Sequence, residues 1–196
     1  KQQLKDQKDV ISDIELLSSQ VERCNQILKK LSLNPNEEDE FIDEDLSLRE
    51  YINQIISSFQ ETSSKNFILN FDQDLNSKKI SRSIEIIYGL RNFIGNANKF
   101  AKHTIFISVK SNDEYSEIIV EDDGNGFSNE ILFKIGEPYL RSIDDKNRSQ
   151  AGLGLGIFIG KTLLEKNFAS INCRNSKIRS GARVAIKWQN KDLIKI

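Results

Sequence analysis

Seven apolar positions near the start of the chain recur at alternating spacings of four and three: Val10, Ile14, Leu17, Val21, Cys24, Leu28 and Leu31. That heptad seam predicts one helix over residues 1–32, with Lys, Glu, Asp, Gln, Asn and Ser on the solvated face between the apolar positions. A seam this narrow, with nothing local to cover it, predicts packing against a partner helix. An amphipathic helix lying on its own domain is the alternative. Asn34-Pro35-Asn36-Glu37-Glu38-Asp39-Glu40, continuing through Asp43, Glu44 and Asp45, stops the helix, because proline and a run of like charge read as a linker. Beyond it a second helix is predicted from near Ser47 through Ile52, Ile55, Ile56 and Phe59, then a strand at 66–71 and a long helix from Ser81 to about Lys99. Alternating runs at 104–110 and 117–120, joined by Ser111-Asn112-Asp113-Glu114, predict an antiparallel hairpin. A polar, Gly-rich stretch over 123–152, broken by an apolar piece at 131–135, leads to a helix from Leu155 to about Lys166. Two strands, 170–174 and 183–188, follow. Helices mixed with antiparallel strands in this way predict a two-layer α+β sandwich.

Composition narrows the function classes. The chain has 196 residues, enough for one well-packed domain with length left over. Lys and Arg number 28 against 29 Asp and Glu, for a net charge of −1, so the chain lacks the global electrostatic footprint of a nucleic-acid or anionic-membrane binder. No apolar run approaches the ~18 residues of a membrane span, and no secretory leader opens the chain. Two cysteines, Cys24 and Cys173, are too few for a disulfide framework, which points to a reducing cytosol. The sequence contains no Met, so it reads as a fragment or a trimmed chain.

Three clusters carry candidate chemistry. Asn92, Asn96 and Lys99 share one face of the long predicted helix, and Ile86, Leu90, Phe93 and Ala97 form an apolar stripe on another, which is expected to lie on the sheet. Asparagine is a poor residue inside a helix, because its amide competes for backbone groups. Two of them one turn apart, followed by a lysine, suit a hard cation and phosphate oxygens; a solvated polar face is the alternative. Asp122-Asp123-Gly124-Asn125-Gly126 follows the strand end Ile118-Ile119-Val120. It can set a carboxylate beside an exocyclic amine while the backbone turns sharply, although Asp-Gly and Asn-Gly are also common turn pairs. Gly152-Leu153-Gly154-Leu155-Gly156 opens the next helix, where bare amides and the helix dipole favour an anion. It lacks the Gly-Lys-Ser/Thr ending of a P-loop and the spacing of a dinucleotide fingerprint. A Gly-rich hinge is the other reading.

Taken in order, the three clusters resemble the ATP-binding domain of sensor histidine kinases, gyrase B and their relatives, over roughly residues 46–190. LRNFIGNANKF (90–100) looks like the N box, VEDDGNGF (120–127) the G1 box and GLGLGIF (152–158) the G2 box. The seam helix is similar to the second helix of a kinase dimerisation hairpin. SQVERCNQIL, GEPYLRS and GLGLGIFIGKTLLE resemble the redox-responsive Reg-type sensor kinases. The resemblance implies ATP and Mg²⁺ as ligands, with Asn96 holding the metal, Lys99 on phosphate oxygens and Phe100 near the adenine. It places Asn92 where gyrase-like relatives carry a glutamate base; an amide cannot take that proton, which suits transfer to an imidazole rather than activation of water. Asp122 would receive the adenine amino group, Gly124 and Gly126 would make room for the base, and Gly152, Leu153, Gly154, Leu155 and Gly156 would line the phosphates. Residues 137–151 correspond to the lid, with Arg141, Lys146 and Arg148 as phosphate contacts or as solvated surface charges. Ala182 departs from the commoner Thr or Ser, which puts a hydroxyl contact to adenine in doubt.

The resemblance implies three regions: the second helix of the dimerisation hairpin at 1–33, an acidic linker at 34–45 and the ATP-binding catalytic domain at 46–196. Its acceptor would be a histidine on the first hairpin helix. The only histidine, His103, lies between the Asn-bearing helix and a strand with no acidic neighbour beside it, so it reads as a surface residue. The fragment is therefore expected to bind ATP without phosphorylating itself. The family also implies a homodimer through the N-terminal helix, a response-regulator partner, phosphorelay signalling, and a cytoplasmic location as part of a membrane-anchored parent; no nucleic-acid partner is expected. Cys24, on the seam, is either a small buried thiol or a redox switch that joins two dimer helices, and Cys173 reads as packing. An anti-sigma-factor-like serine kinase and a non-catalytic nucleotide-sensing dimerisation module are the competing functions.

Overall fold

In a computed structural model the described residues are 46–72, 79–80, 83–138 and 155–193. The predicted helix at 1–32, Cys24 and the acidic linker lie outside them, as do Gly152, Leu153, Gly154, Arg141, Lys146 and Arg148.

β1 (Leu46–Ser47) runs straight into α1 (Leu48–Gln60). Ser47 caps that helix: its Oγ accepts from Glu50 N, while the Glu50 carboxylate accepts from Ser47 N at 2.8 Å. This reciprocal box accounts for the sharp start at the predicted place. β2 (Asn66–Phe71) and the two-residue β3 (Lys79–Ile80) precede α2 (Ile84–Phe100). Ser83 caps α2 through Ile86 N, and the Tyr51 hydroxyl of α1 donates to Ser83 O at 2.7 Å, tying the two helices at that point. β4 (Thr104–Ser111) and β5 (Tyr115–Asp122) form the expected hairpin, and the apolar piece near 131–135 is a short helix, α3 (Asn129–Lys134). α4 (Gly156–Lys166), β6 (Ser170–Asn175), β7 (Ala182–Gln189) and α5 (Asn190–Leu193) complete the order.

Five strands form one mixed sheet in the order β2-β4-β5-β7-β6. Only β2 and β4 are parallel, and α2 supplies the crossover that a parallel pair needs. One face of the sheet is apolar by alternation: Ile105, Ile107 and Val109 of β4 are buried, with Ile118 and Val120 of β5 and Val184, Ile186 and Trp188 of β7, while Ile119 and Ala185 between them are buried too. Ile86, Leu90, Phe93 and Ala97 of α2 are buried as expected, joined by Ile94, and with α1 and Leu164 of α4 they share this core. The layers are therefore helices on one side of a sheet, the α+β sandwich the sequence predicts. Among the described residues no helix is long and apolar enough to cross a membrane.

The β1–β3 pairing (Leu46↔Ile80, Ser47↔Lys79) and α5 were not expected from the sequence. Two-residue strands and a four-residue helix are too short to leave a hydrophobic period.

Candidate functional site

The inward alternation of β5 continues past Val120 to Asp122, so the last inward residue of an apolar strand is a carboxylate, only 3% exposed. Its Oδ1 accepts from Gly124 N at 2.8 Å and from Ala182 N at 3.2 Å. Both donors use the same oxygen, which leaves Oδ2 for a ligand. Burial pushes this carboxyl above its ordinary value; the two backbone donors pull it part of the way back, and neighbouring Asp123 adds to the rise. The β7 backbone crosses so close that a Cβ on Gly181 would collide with Asp122 itself, and one on Gly124 would meet Phe100 O and Asp122 Oδ1. Ala182 makes its contact with Asp122 through the main chain.

Asp123 does different work. Its carboxylate accepts from the backbone N–H groups of Lys102, His103 and Thr104, and so pins the turn between α2 and β4 to the end of β5. Desolvation acts to raise its pKa, but these donors outweigh it and hold the group below the ordinary carboxylate range. His103 is exposed in that turn, as expected of a surface histidine.

The second part of the site lies where α4 begins against α2. Gly156, the first residue of α4, sits so near that a Cβ there would be 3.2 Å from both side-chain ends of Asn96 and 3.6 Å from Asn92 Oδ1. One turn on, a Cβ on Gly160 would be 3.0 Å from the Phe93 ring. Small residues on one face of α4 thus let the two helices close, and the closure brings the Asn pair to the N-terminus of α4. Asn92 is committed, its Nδ2 donating to Tyr88 O at 2.8 Å. Asn96 is not: its Nδ2 is buried and has no hydrogen-bond partner among the described residues. α4 begins without a side-chain cap, since its flanking residue Leu155 makes no cap hydrogen bond. A buried orphan amide beside uncapped helix N–H groups fits a bound anion with its counter-cation, the one phosphate-rich and the other oxygen-seeking. Lys99 is exposed, its Nζ 5.0 Å from the centre of the Phe100 ring, which is itself 54% exposed.

A family model described as histidine kinase-, DNA gyrase B- and HSP90-like ATPase matches residues 82–192. The chain belongs to this ATPase family. It is 29% identical over 210 residues to the sensor histidine kinase RegB of Cereibacter sphaeroides, covering 95% of this chain and 44% of RegB. It thus spans less than half the length of that relative. The catalytic domain of the histidine kinase ThkA superposes with a TM-score of 0.62 at 19% identity, over 75% of this chain and 97% of that domain. Full-length ShkA, solved in complex with AMPPNP, superposes with a TM-score of 0.63 at 18% identity, over 84% of this chain and 34% of ShkA. At such identities the likeness to these solved structures is one of fold.

Set on this ATPase fold, Asn92, Asn96, Leu155 and Gly156 converge at the α2–α4 crossing, and Asp122 and Gly124 at the β5–β7 corner. Sequence reasoning missed three contributors at that corner. Gly181 lets β7 cross Asp122. Asn175 holds the backbone of Phe127, and Ser176 accepts from Ile178 N and Arg179 N while its hydroxyl donates to Glu121. Gly181 shows in the sequence as a lone glycine before a strand; a strand-end Asn gives no signal of its own. Cys173 faces the core from β6, and burial pushes its thiol up to about 11, as suits a packing residue.

Proposed function

We propose that this chain is the ATP-binding catalytic portion of a two-component sensor histidine kinase. It would bind ATP with Mg²⁺ and deliver the γ-phosphoryl group to a histidine on a dimerisation helix, for onward transfer to a response regulator. Asp122 carries the reading. A carboxylate kept buried at the cost of a raised pKa, with one oxygen filled by the backbone and the other open, is an acceptor waiting for a donor. The adenine amino group would supply that donor, while Gly124 and Gly126 let the loop pass close to Phe100 O, Asp122 and Asn175 rather than opening space themselves.

At the other end Asn96 would meet the metal and phosphates, with the N-terminal amides of α4, the Gly152–Gly156 segment and Lys99 around them. A bound Mg²⁺ would neutralise phosphate charge. The residues then act by position: phosphoryl transfer proceeds through a loose transition state and needs alignment more than covalent help. The Asn92 amide cannot serve as a base, so water near the γ-phosphate is not activated, whereas an incoming imidazole needs no such help.

In the same reading residues 1–33 form the second hairpin helix and pair two subunits, 34–45 link it to the catalytic domain at 46–196, and 137–151 close over the nucleotide. Cys24 would be a redox switch between paired helices, in a parent protein anchored to the membrane with this portion in the cytoplasm. Oxidised dimer on non-reducing gels that disappears in Cys24→Ser supports the switch, and equal dimer in both removes it.

The decisive experiment mixes the chain and MgATP with a separate polypeptide carrying the first hairpin helix. Acid-labile, base-stable phosphate is expected on that polypeptide and none on His103. Acid-stable phosphate, or none at saturating MgATP, would overturn the kinase assignment.

A further inference from the structure

The glycine loop 124–127 is anchored at two places. Its entrance is held by Asp122, as described. Its exit is held by a side chain from the far edge strand, 48 residues away in sequence: Asn175 Oδ1 accepts from Phe127 N at 2.7 Å, and Asn175 Nδ2 donates to Phe127 O at 2.9 Å. One primary amide thus satisfies both backbone groups of one residue, as a neighbouring strand would. Between the anchors, Gly126 adopts φ +74°, and a Cβ there would lie 2.6 Å from Asn175 Oδ1, so the amide and the left-handed glycine fit only together.

The strand pairing shows why Asn175 is placed for this. It is the last residue of β6, paired with Ala182, whose N–H donates to Asp122. Asp122, Ala182 and Asn175 therefore form one row across the inner face of the sheet, one step beyond the apolar row Val120, Val184 and Cys173. The corner carrying this row is braced from outside. Ser176 N donates to Gly181 O, and Ser176 Oγ donates to Glu121 at 2.8 Å. Arg183 pairs with the same Glu121 at 3.6 Å, and Arg179, over the Phe106 ring, also reaches it.

We propose that Asn175 is a positioning residue of the nucleotide site, which fixes the exit of the 124–127 loop to the strand row that carries Asp122, so that the base enters a slot with both ends already set. This rests on the nucleotide-binding reading above. Asn175 does not itself touch the nucleotide; it spares binding the entropy of ordering the loop.

Asn175→Ala and Asn175→Asp, in the 196-residue chain, test it. Calorimetry with ADP is expected to show affinity about tenfold weaker at pH 7.5 for both, roughly the loss of one well-made hydrogen-bonded pair. The Asp variant should then recover as pH falls. Its carboxylate can accept from Phe127 N but opposes Phe127 O, whereas the protonated acid both donates and accepts as the amide does. Its affinity relative to the original chain should rise toward unity with acid, while that of Asn175→Ala stays flat.

Amide exchange without nucleotide gives the second readout: Phe127 N–H should exchange faster in Asn175→Ala, with the β4–β5 hairpin amides unchanged. ADP affinity within twofold of the original in both variants, or a relative affinity of the Asp variant that is flat with pH, overturns the proposal. So does a global loss of protection in both, which would make Asn175 a residue of folding alone. If the original chain itself fails to bind ADP, the nucleotide reading falls and this assignment with it, while faster Phe127 exchange would still reveal the clamp.

Discussion

At the β5–β7 corner, Asp122 Oδ1 accepts from two backbone amides, and a second side chain, Asn175, sets the loop beside it. At the α2–α4 crossing, Asn96 Nδ2 is buried with no partner among the described residues, next to a helix whose first residue is preceded by no side-chain cap. In the proposed nucleotide complex the two regions would face different ligand parts. A purine is rigid and neutral, so its donors and acceptors can be matched by groups fixed in advance. A metal-bound triphosphate brings its own charge and prefers to keep several waters, so a protein serves it with bare amides and free polar ends. The corner is therefore filled before ligand arrives and the crossing is left open. Substitutions that break the close backbone approach of the corner should disturb fold and binding together, whereas those at the crossing should disturb binding alone.

The largest expected effect is at Gly181. A Cβ there collides with the Asp122 backbone and carboxylate, and backbone on both sides cannot give way. Gly181→Ala is expected to lower stability by about 3 kcal/mol, about 6–12 °C in Tm, and to abolish nucleotide binding. Thermal melting with and without MgATP reads both. A variant that melts normally and binds normally would mean the corner is looser than described, and the contrast between the two regions would go with it.

Asp122→Asn separates the two consequences. Oδ1 of the amide can still accept from Gly124 and Ala182, but Oδ2 becomes a donor facing a donor, so adenine binding should fall by about 1.5–3 kcal/mol, about ten- to a hundredfold. Stability should move the other way. The folded-state pKa of Asp122 lies above its ordinary value of 3.8, so the folded state holds more protons in the window above 3.8. Stability therefore falls as pH rises through that window, and at neutral pH the penalty is fully present. Asp122→Asn should melt no lower than the parent at pH 7 and should lack this decline. The parent's adenine affinity should weaken as acid protonates the carboxylate. Asp123 has the opposite sign: its lowered pKa contributes stability that is present above the ordinary value and lost as pH falls through the depressed one. Acid melts of Asp122→Asn and Asp123→Asn should thus diverge; parallel curves would contradict the assigned directions.

How far the sequence carried this contrast depends on what leaves a pattern. The long helix, the hairpin and both closing strands were legible because their apolar residues keep a period against one core, and Asp122 stood out as a charge at the end of such a run. Asn92 and Asn96 drew attention because asparagine is unfavourable inside a helix without a reason, although a solvated polar face accounted for them equally well. The brace of Asn175, Ser176 and Glu121 was not, since ordinary polar residues at a strand end gain meaning only from partners such as Phe127, 48 residues away. Nor could spacing say that Asn92 is tied to Tyr88 O while Asn96 is free.

At the open end, Asn96→Ala removes an amide that makes no bond through its nitrogen, so Tm without ligand should hold or rise slightly. MgATP affinity should fall by about 1 kcal/mol, roughly fivefold, and the half-saturating Mg²⁺ concentration should increase. Adenosine, which lacks phosphates, should bind as before. Equal losses for adenosine and MgATP would show that the crossing and the corner act as one unit.

The smallest effect is expected at Lys99, the exposed member of the Asn-bearing face. Its ammonium lies over the Phe100 ring at 5.0 Å, and from that exposed position it would act on a phosphate across solvent, where a single charge contributes about 0.5 kcal/mol and is screened by salt. Lys99→Ala should therefore weaken MgATP by about threefold or less at physiological ionic strength, with the difference shrinking as salt is added, and should leave adenosine unchanged. A loss as large as that of Asp122→Asn, insensitive to salt, would mean that Lys99 turns inward onto the phosphates when nucleotide binds. The open region would then close around its ligand as tightly as the corner does, and the difference between the two would belong to the empty protein alone.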